Sequence, residues 1–196
     1  MKATFFERLC AYLVDTLIVS FIFSIICLGF GNSTSNTQKL MSELENKLLE
    51  KTITEEQFIE EYQTLLYDYQ KENVLQSGIS VALTIAYYVV FQYMNKGQSI
   101  GKKLLNIKVV DKDTKKPISI LKGLLRSFIF LSILSGTLSI ILLHILNKNS
   151  YFVSYSILIS LEVIFTLISM MFVLYKKDSR ALHDIMANTI VLKDRK

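Results

Sequence analysis

Residues 97–126 read GQSIGKKLLNIKVVDKDTKKPISILKGLLR, and long apolar runs flank them on both sides. From 95 to 126 there are nine Lys or Arg against two Asp, a net charge of +7. Lys and Arg in short loops resist translocation, so a segment this basic is expected on the cytoplasmic side of a membrane. Placing it there orders the rest of the chain. Residues 31–76 sum to −5 and residues 176–196 to +3, while the apolar runs between are neutral. Soluble domains rarely string together several uninterrupted apolar runs of about 20 residues. The 196 residues, 51% of them hydrophobic, therefore read as one membrane domain, acidic outside and basic inside. The positive charge is juxtamembrane, which points to anionic lipid headgroups rather than nucleic acid.

Working outward, the pattern predicts an all-α membrane protein with four transmembrane helices, at about 9–30, 77–94, 123–146 and 151–175. The first run, LCAYLVDTLIVSFIFSIICLGF, carries Asp15 and ends at Gly29, Gly31 and NSTSNT. It is too long and too charged for a cleaved signal peptide. Cys10 and Cys27 lie roughly 25 Å apart on a helix, too far to bridge.

Residues 31–76 form an extracytoplasmic insert. Leu40, Leu44 and Leu48 make one helical stripe; Phe58, Tyr62, Leu65 and Tyr69 make another. Thr52 with Glu55, and Thr54 with Gln57, both fit a capping box. The expectation is a hairpin of helices over 38–51 and 54–75, the second running toward the membrane. A solvated spacer is the alternative, but the aromatic stripe calls for a packing partner, either the first helix or another protein. Tyr87, Tyr88 and Tyr93 fit an aromatic belt at the end of the second span.

The loop 95–122 contains LNIKVV, an alternating strand pattern that turns at DKDT and stops at Pro117. In the tail, 176–196, a short helix SRALHDIMA precedes a strand at 189–192. Each strand is too short to stand alone, so 189–192 is expected to pair with 106–110. Ser132-x-x-x-Gly136 and Ser135-x-x-x-Ser139 offer small faces for helix packing in the third span. Lys176 and Lys177 anchor the fourth inside. Four spans leave both termini cytoplasmic, in a cell membrane.

Three separated pieces share one pattern. FERLCAYLVD, residues 6–15, brings Arg8 into the first span with Asp15 seven residues on; GQSIGKKLL, residues 97–105, continues into KVVD; RALHDIMANTIV, residues 180–191, carries Asp184. Together they resemble the RDD family of prokaryotic membrane proteins, named for one Arg and two Asp, which fall here on Arg8, Asp15 and Asp184. Ile100 stands where the family pattern commonly has proline, and Asn188 where it commonly has glycine. The insert at 31–76 is longer than the pattern needs. The resemblance implies either cation/proton exchange or regulation of a partner membrane protein.

Arg8 and Asp15 are too far apart along one helix for direct contact, about 10 Å, so each needs a partner elsewhere, and Asp184 suits Arg8. A carboxylate within a span costs a few kcal/mol, so a partner or a use is expected for Asp15 and for Glu162 in mid-span. Facing each other, the two would form a cation or proton site, with Gln92, Thr84 and Thr166 adding oxygen ligands. The competing reading makes Arg8, Asp15 and Asp184 a lock between tail and bundle, with Glu162 a neutral hydrogen-bonded acid. His144 reads as interfacial, and His183 as orienting Asp184. Lys102, Lys103, Lys115 and Lys116 are candidate contacts for lipid headgroups. No zinc pattern, nucleophile elbow or cofactor motif is recognised, so a non-enzyme is expected. It would move or modulate a monovalent cation or proton, as a homo-oligomer because four helices leave little room for a pathway. Alternatively it would serve as a regulatory or scaffolding subunit, bound to a partner through the hairpin or the basic face.

Overall fold

The computed structural model describes residues 1–30, 33–128, 132–176 and 178–194. Helix α1, Phe5–Cys27, opens on a capping box that the reading from residue 9 overlooked: Glu7 N–H donates to Thr4 Oγ1, and Thr4 N–H to the Glu7 carboxylate at 2.8 Å. The helix is apolar on all sides, yet only Ala11 and Asp15 are buried, so most of its surface is left for lipid. A short 3₁₀ turn, Leu28–Phe30, ends it. The expected stops at Gly31 and Asn32 lie outside the described residues. Ser33 already begins α2, Ser33–Leu49, so the polar run expected as a loop is helical.

Of the two predicted capping boxes, Thr54 with Gln57 is the one that forms, and it starts α3, Glu55–Glu72. Leu44 is buried in the α2–α3 hairpin. The aromatic packing differs from the expected stripe. Phe58 and Tyr62 stack on each other, whereas Tyr67 reaches across to the far helices. Tyr67 Oη donates to Leu146 O at 3.0 Å, and its ring meets Tyr151 edge-on at 5.6 Å. Lys148 Nζ donates to Thr64 at 2.8 Å, and Tyr151 bonds Gln70. The hairpin is therefore fastened to the start of α9, Lys148–Tyr175.

After Asn73 the chain re-enters helix as α4, Val74–Ile85, then a π-helical stretch Ala86–Phe91 and the turn α5, Gln92–Met94. Together Val74–Met94 are long and apolar enough to cross a membrane, as are α1 and α9, Lys148–Tyr175. The wider turn brings Tyr87, Tyr88 and Val89 inward. Tyr87 and Tyr88 are thus buried and do not form the belt expected of them; Tyr93 is exposed.

The expected third span over 123–146 is divided. Helix α7 covers Ile120–Ser127 and α8 covers Ile133–Ile145, while 129–131 lie outside the described residues. Ser132 takes a left-handed conformation, φ 56°, and Leu134 N–H bonds back to Phe128 O at 2.9 Å. Thirteen residues of α8 rise only about 20 Å, short of a hydrocarbon core of about 30 Å. The small faces have the expected use at one point: a Cβ on Gly136 would lie 2.9 Å from Val81 of α4. Three helices, not four, among the described residues have spanning length. The expected anchor Lys177 lies outside the described residues.

The strand pair forms. β1, Ile107–Asp111, runs antiparallel to β2, Thr189–Lys193, with Val109 opposite Val191. The N-terminus joins them: Ala3 N–H donates to Val191 O at 3.1 Å, and Lys2 bridges Leu192. Beneath lies a small core of Ala3, Ala11, Ile107, Val109, Ile118 and Val191. Short helices α6, Ile100–Leu104, and α10, Leu182–Met186, dock beside it. This end unites both termini with the central loop, and the candidate site lies here.

Candidate functional site: a buried Arg–Asp cluster and its cavity

Two carboxylates organise this end, and both are fully buried. Asp15 faces the start of α6. Its Oδ1 accepts Gly101 N–H at 2.7 Å and Tyr87 Oη–H at 2.7 Å, and its Oδ2 accepts Ser99 Oγ–H at 2.5 Å. Ile100 N–H in turn donates to Tyr87 Oη at 3.2 Å. This geometry requires glycine at 101, where a Cβ would lie 2.3 Å from Ala11 O and 2.8 Å from Asp15 Oδ1. Gly97, just upstream, has φ +92° and offers Val109 N–H a carbonyl at 2.9 Å, a backbone conformation that L side chains rarely adopt. The GQSIG stretch therefore folds back on α1 through Gly101 and on β1 through Gly97, where the absence of a side chain lets the backbones touch.

Asp184, at the start of α10, collects the arginines. Arg8 Nη1 lies 2.9 Å from its Oδ2 and Arg126 Nη2 lies 2.9 Å from its Oδ1. Thr189 Oγ1 donates to Oδ1 at 3.3 Å and Ala181 N–H to Oδ2 at 3.4 Å. Arg180 closes the turn behind it, donating to Thr189 O and to Asp184 O. Burial alone would push the Asp184 carboxyl up; the charges of Arg126, His183 and Arg8 outweigh it and hold it down to about 2. His183 sits 3.7 Å from Asp184 and shares a 3.0 Å hydrogen bond with Ser169 on α9. Burial, opposed by Asp184 but reinforced by Arg126, Arg8 and Lys102, pushes it down to about 4, so it is neutral at pH 7.

A cavity of about 120 Å³ lies between the two clusters, with Arg8, Asp15, Gln92, Lys102, Arg126 and His183 on its walls. Lys102 Nζ donates to Gln92 Oε1 at 2.8 Å inside it. Burial and the Arg126 charge, against the pull of Asp15 and Asp184, push the Lys102 ammonium down to about 7.

The expected site residues are thus distributed over several places. Arg8 and Asp184 pair directly. Asp15 and Glu162 do not meet: Glu162 bonds Ser132 and Ser135 from α9, and shares neither a partner nor this cavity with Asp15. Gln92 faces Lys102, Thr84 donates to Ser80 O within its own helix, and Thr166 is half-buried on α9. Lys102 lines the cavity, because α6 turns it inward. Lys103 and Lys116 are exposed, and Lys115 bonds Lys112 O in the turn. His144 is exposed and bonds Ile140 O at 2.8 Å. Arg126, Tyr87 and Ser99 were missed. Lys122 and Arg126, four apart on one face of α7, were the only signal for Arg126, and they do not tell an inward guanidinium from an outward one. Lys122 turns outward to Asp111, whose carboxyl this bond and the Thr114 amide hold well below the usual range.

The family model described as RDD family matches residues 2–188, and the chain belongs to that family. No curated protein and no solved structure matches it. The chain is accordingly an RDD-family membrane protein with apolar helices. Its two departures from the family pattern have physical explanations. Ile100 is the first residue of α6, a place proline suits, and it gains the N–H that proline would lack for Tyr87. Asn188 has φ 50°, the left-handed region that glycine, and next asparagine, tolerate.

Proposed function

We propose that the chain is a membrane subunit without catalytic or transport activity of its own, regulating or scaffolding a partner membrane protein. The observation that carries this is the separate saturation of the two acids that a cation site would need. Three protein donors fill the Asp15 carboxylate, and two serine hydroxyls take up Glu162. A cation entering beside Asp15 would displace those donors and face Arg8, Lys102 and Arg126. Such walls oppose cation passage. Homo-oligomerisation, expected for a pathway between subunits, is not needed under this reading.

The positive charge of the basic loop and tail supports a cytoplasmic placement for them and for the N-terminus that packs with them. The N-terminus, β1 and β2 share one end. The hairpin contacts the start of α9 at the other, through Tyr67 and Lys148. Between β1 and α9 the chain must therefore cross back, and α7 with α8 makes that return although neither has full spanning length. The acidic hairpin is left outside, where it offers a partner charged helical faces.

Proteoliposome flux tests the proposal. Under Na⁺, K⁺ or Li⁺ gradients coupled to a pH difference, native protein should show no flux above empty vesicles. Flux that disappears in folded Asp15→Asn or Glu162→Gln would overturn it.

A further inference from the structure

We propose that the cavity between α1, α5, α6 and α7 is a binding site for a phosphate-type oxyanion. Among the described residues, the buried side-chain polar atoms with no hydrogen-bond partner are Arg8 Nε, Arg8 Nη2, Arg126 Nη1 and Gln92 Nε2. All are donors, and all belong to residues that line this one cavity. Gln92 is 3% exposed and Arg126 9%. Buried donors require acceptors, and a guanidinium cannot escape by losing its proton. The cavity, at about 120 Å³, has space for several water-sized groups, one needing about 10–15 Å³.

Charge selects an anion over water. Arg8 and Arg126 bring two permanent cations and Lys102 a third when protonated, while Asp184 and Asp15 bring two anions whose oxygens already hold protein donors. Water would satisfy the donors and leave the excess positive charge. An oxyanion satisfies both, since guanidinium forks match phosphate oxygens. It would also oppose the burial and the Arg126 charge that push the Lys102 ammonium toward neutrality. Met170 and Val173 from α9 and Leu9 from α1 add apolar lining. A phosphate on a lipid headgroup, with its chains along those spans, and a free phosphate present the same chemistry to this site. The inference stands whether or not the chain transports an ion.

The test uses the full chain, delipidated in detergent. Radiolabelled inorganic phosphate is titrated by equilibrium dialysis, then competed with short-chain phosphatidylglycerol. Two variants leave the Arg8–Asp184–Arg126 contacts in place: Lys102→Met removes one cation, and Gln92→Glu puts a carboxylate within the cavity. Native protein should bind one phosphate saturably, Lys102→Met at least tenfold more weakly, and Gln92→Glu not measurably. Displacement by phosphatidylglycerol identifies a headgroup; binding that the lipid leaves unchanged identifies a free oxyanion. Retention of one phosphatidylglycerol in native mass spectra, lost in both variants, supports the headgroup even where phosphate is excluded. Saturable binding of neither probe, or equal binding by native protein and both variants, overturns the proposal.

Discussion

Replacing Asp184 by Asn removes the one anion to which Arg8 and Arg126 both point, at 2.9 Å each. The amide has nearly the same volume, so packing is preserved while two buried guanidinium groups lose their counter-charge. Breaking a buried pair in this way costs about 3–5 kcal/mol. Acid provides an independent handle on the same contact. The Asp184 carboxyl falls from an ordinary 3.8 to about 2, worth about 2 kcal/mol at about 1.4 kcal/mol per pH unit. A depressed carboxylate stabilises above its unfolded value, so this contribution is whole above about pH 4 and fades as pH falls toward 2. Thermal unfolding of native and Asp184→Asn chains in detergent, followed by near-ultraviolet circular dichroism of the tyrosines, measures both effects. The gap between the two curves should be several kcal/mol at pH 7 and narrow below pH 4, where shared carboxylates cancel. A gap under about 1 kcal/mol at pH 7, or one that stays constant on acidification, would refute the idea that this ion cluster holds tail to bundle.

Gly101→Ala should dislodge α6 from α1, since its Cβ would lie 2.3 Å from Ala11 O; a loss of about 1–3 kcal/mol is expected, and an unchanged melting temperature would contradict the close approach. Ile107→Ala, in the small core beneath the strand pair, should cost about 2–5 kcal/mol and expose the β1–β2 amides to hydrogen exchange. Tyr67→Phe should cost about 1 kcal/mol by leaving Leu146 O without its donor, and should loosen the hairpin to protease before the bundle melts. On a background with Cys10 and Cys27 replaced by Ser, a membrane-impermeant thiol reagent should label Lys51→Cys in whole cells and leave Lys112→Cys unlabelled until lysis.

The legible parts are those set by local pattern. The apolar runs gave spanning helices because their hydropathy needs no neighbour to be read. Thr54 with Gln57 gave the α3 start, and the alternation of LNIKVV with the strand-like 189–192 gave the pair that forms at 107–111 and 189–193, because cap and strand signals lie within a few residues. Thr4 with Glu7 carried an equally local signal that was passed over. The third span was misjudged as continuous: hydropathy alone does not register the left-handed turn at Ser132.

Taken alone, the sequence determined that this chain carries apolar helices of membrane-spanning length, that its three motif pieces belong with the RDD proteins, and that Arg8 would seek Asp184. Hydropathy is additive along a chain, and the family resemblance rests on short motifs read residue by residue, so these conclusions need no coordinates. Tertiary structure alone decided which donors reach which carboxylate. The π-helical turn swings Tyr87 onto Asp15, Gly101 of the GQSIG stretch lets α6 close on α1, and α7 presents Arg126 rather than Lys122 to Asp184. Those outcomes rest on helix rotation and on side-chain direction, which residue identity leaves open. The same rotations left four donors of Arg8, Gln92 and Arg126 facing one cavity. Among the described residues, that unmet demand arises where α1, α5 and α7 converge.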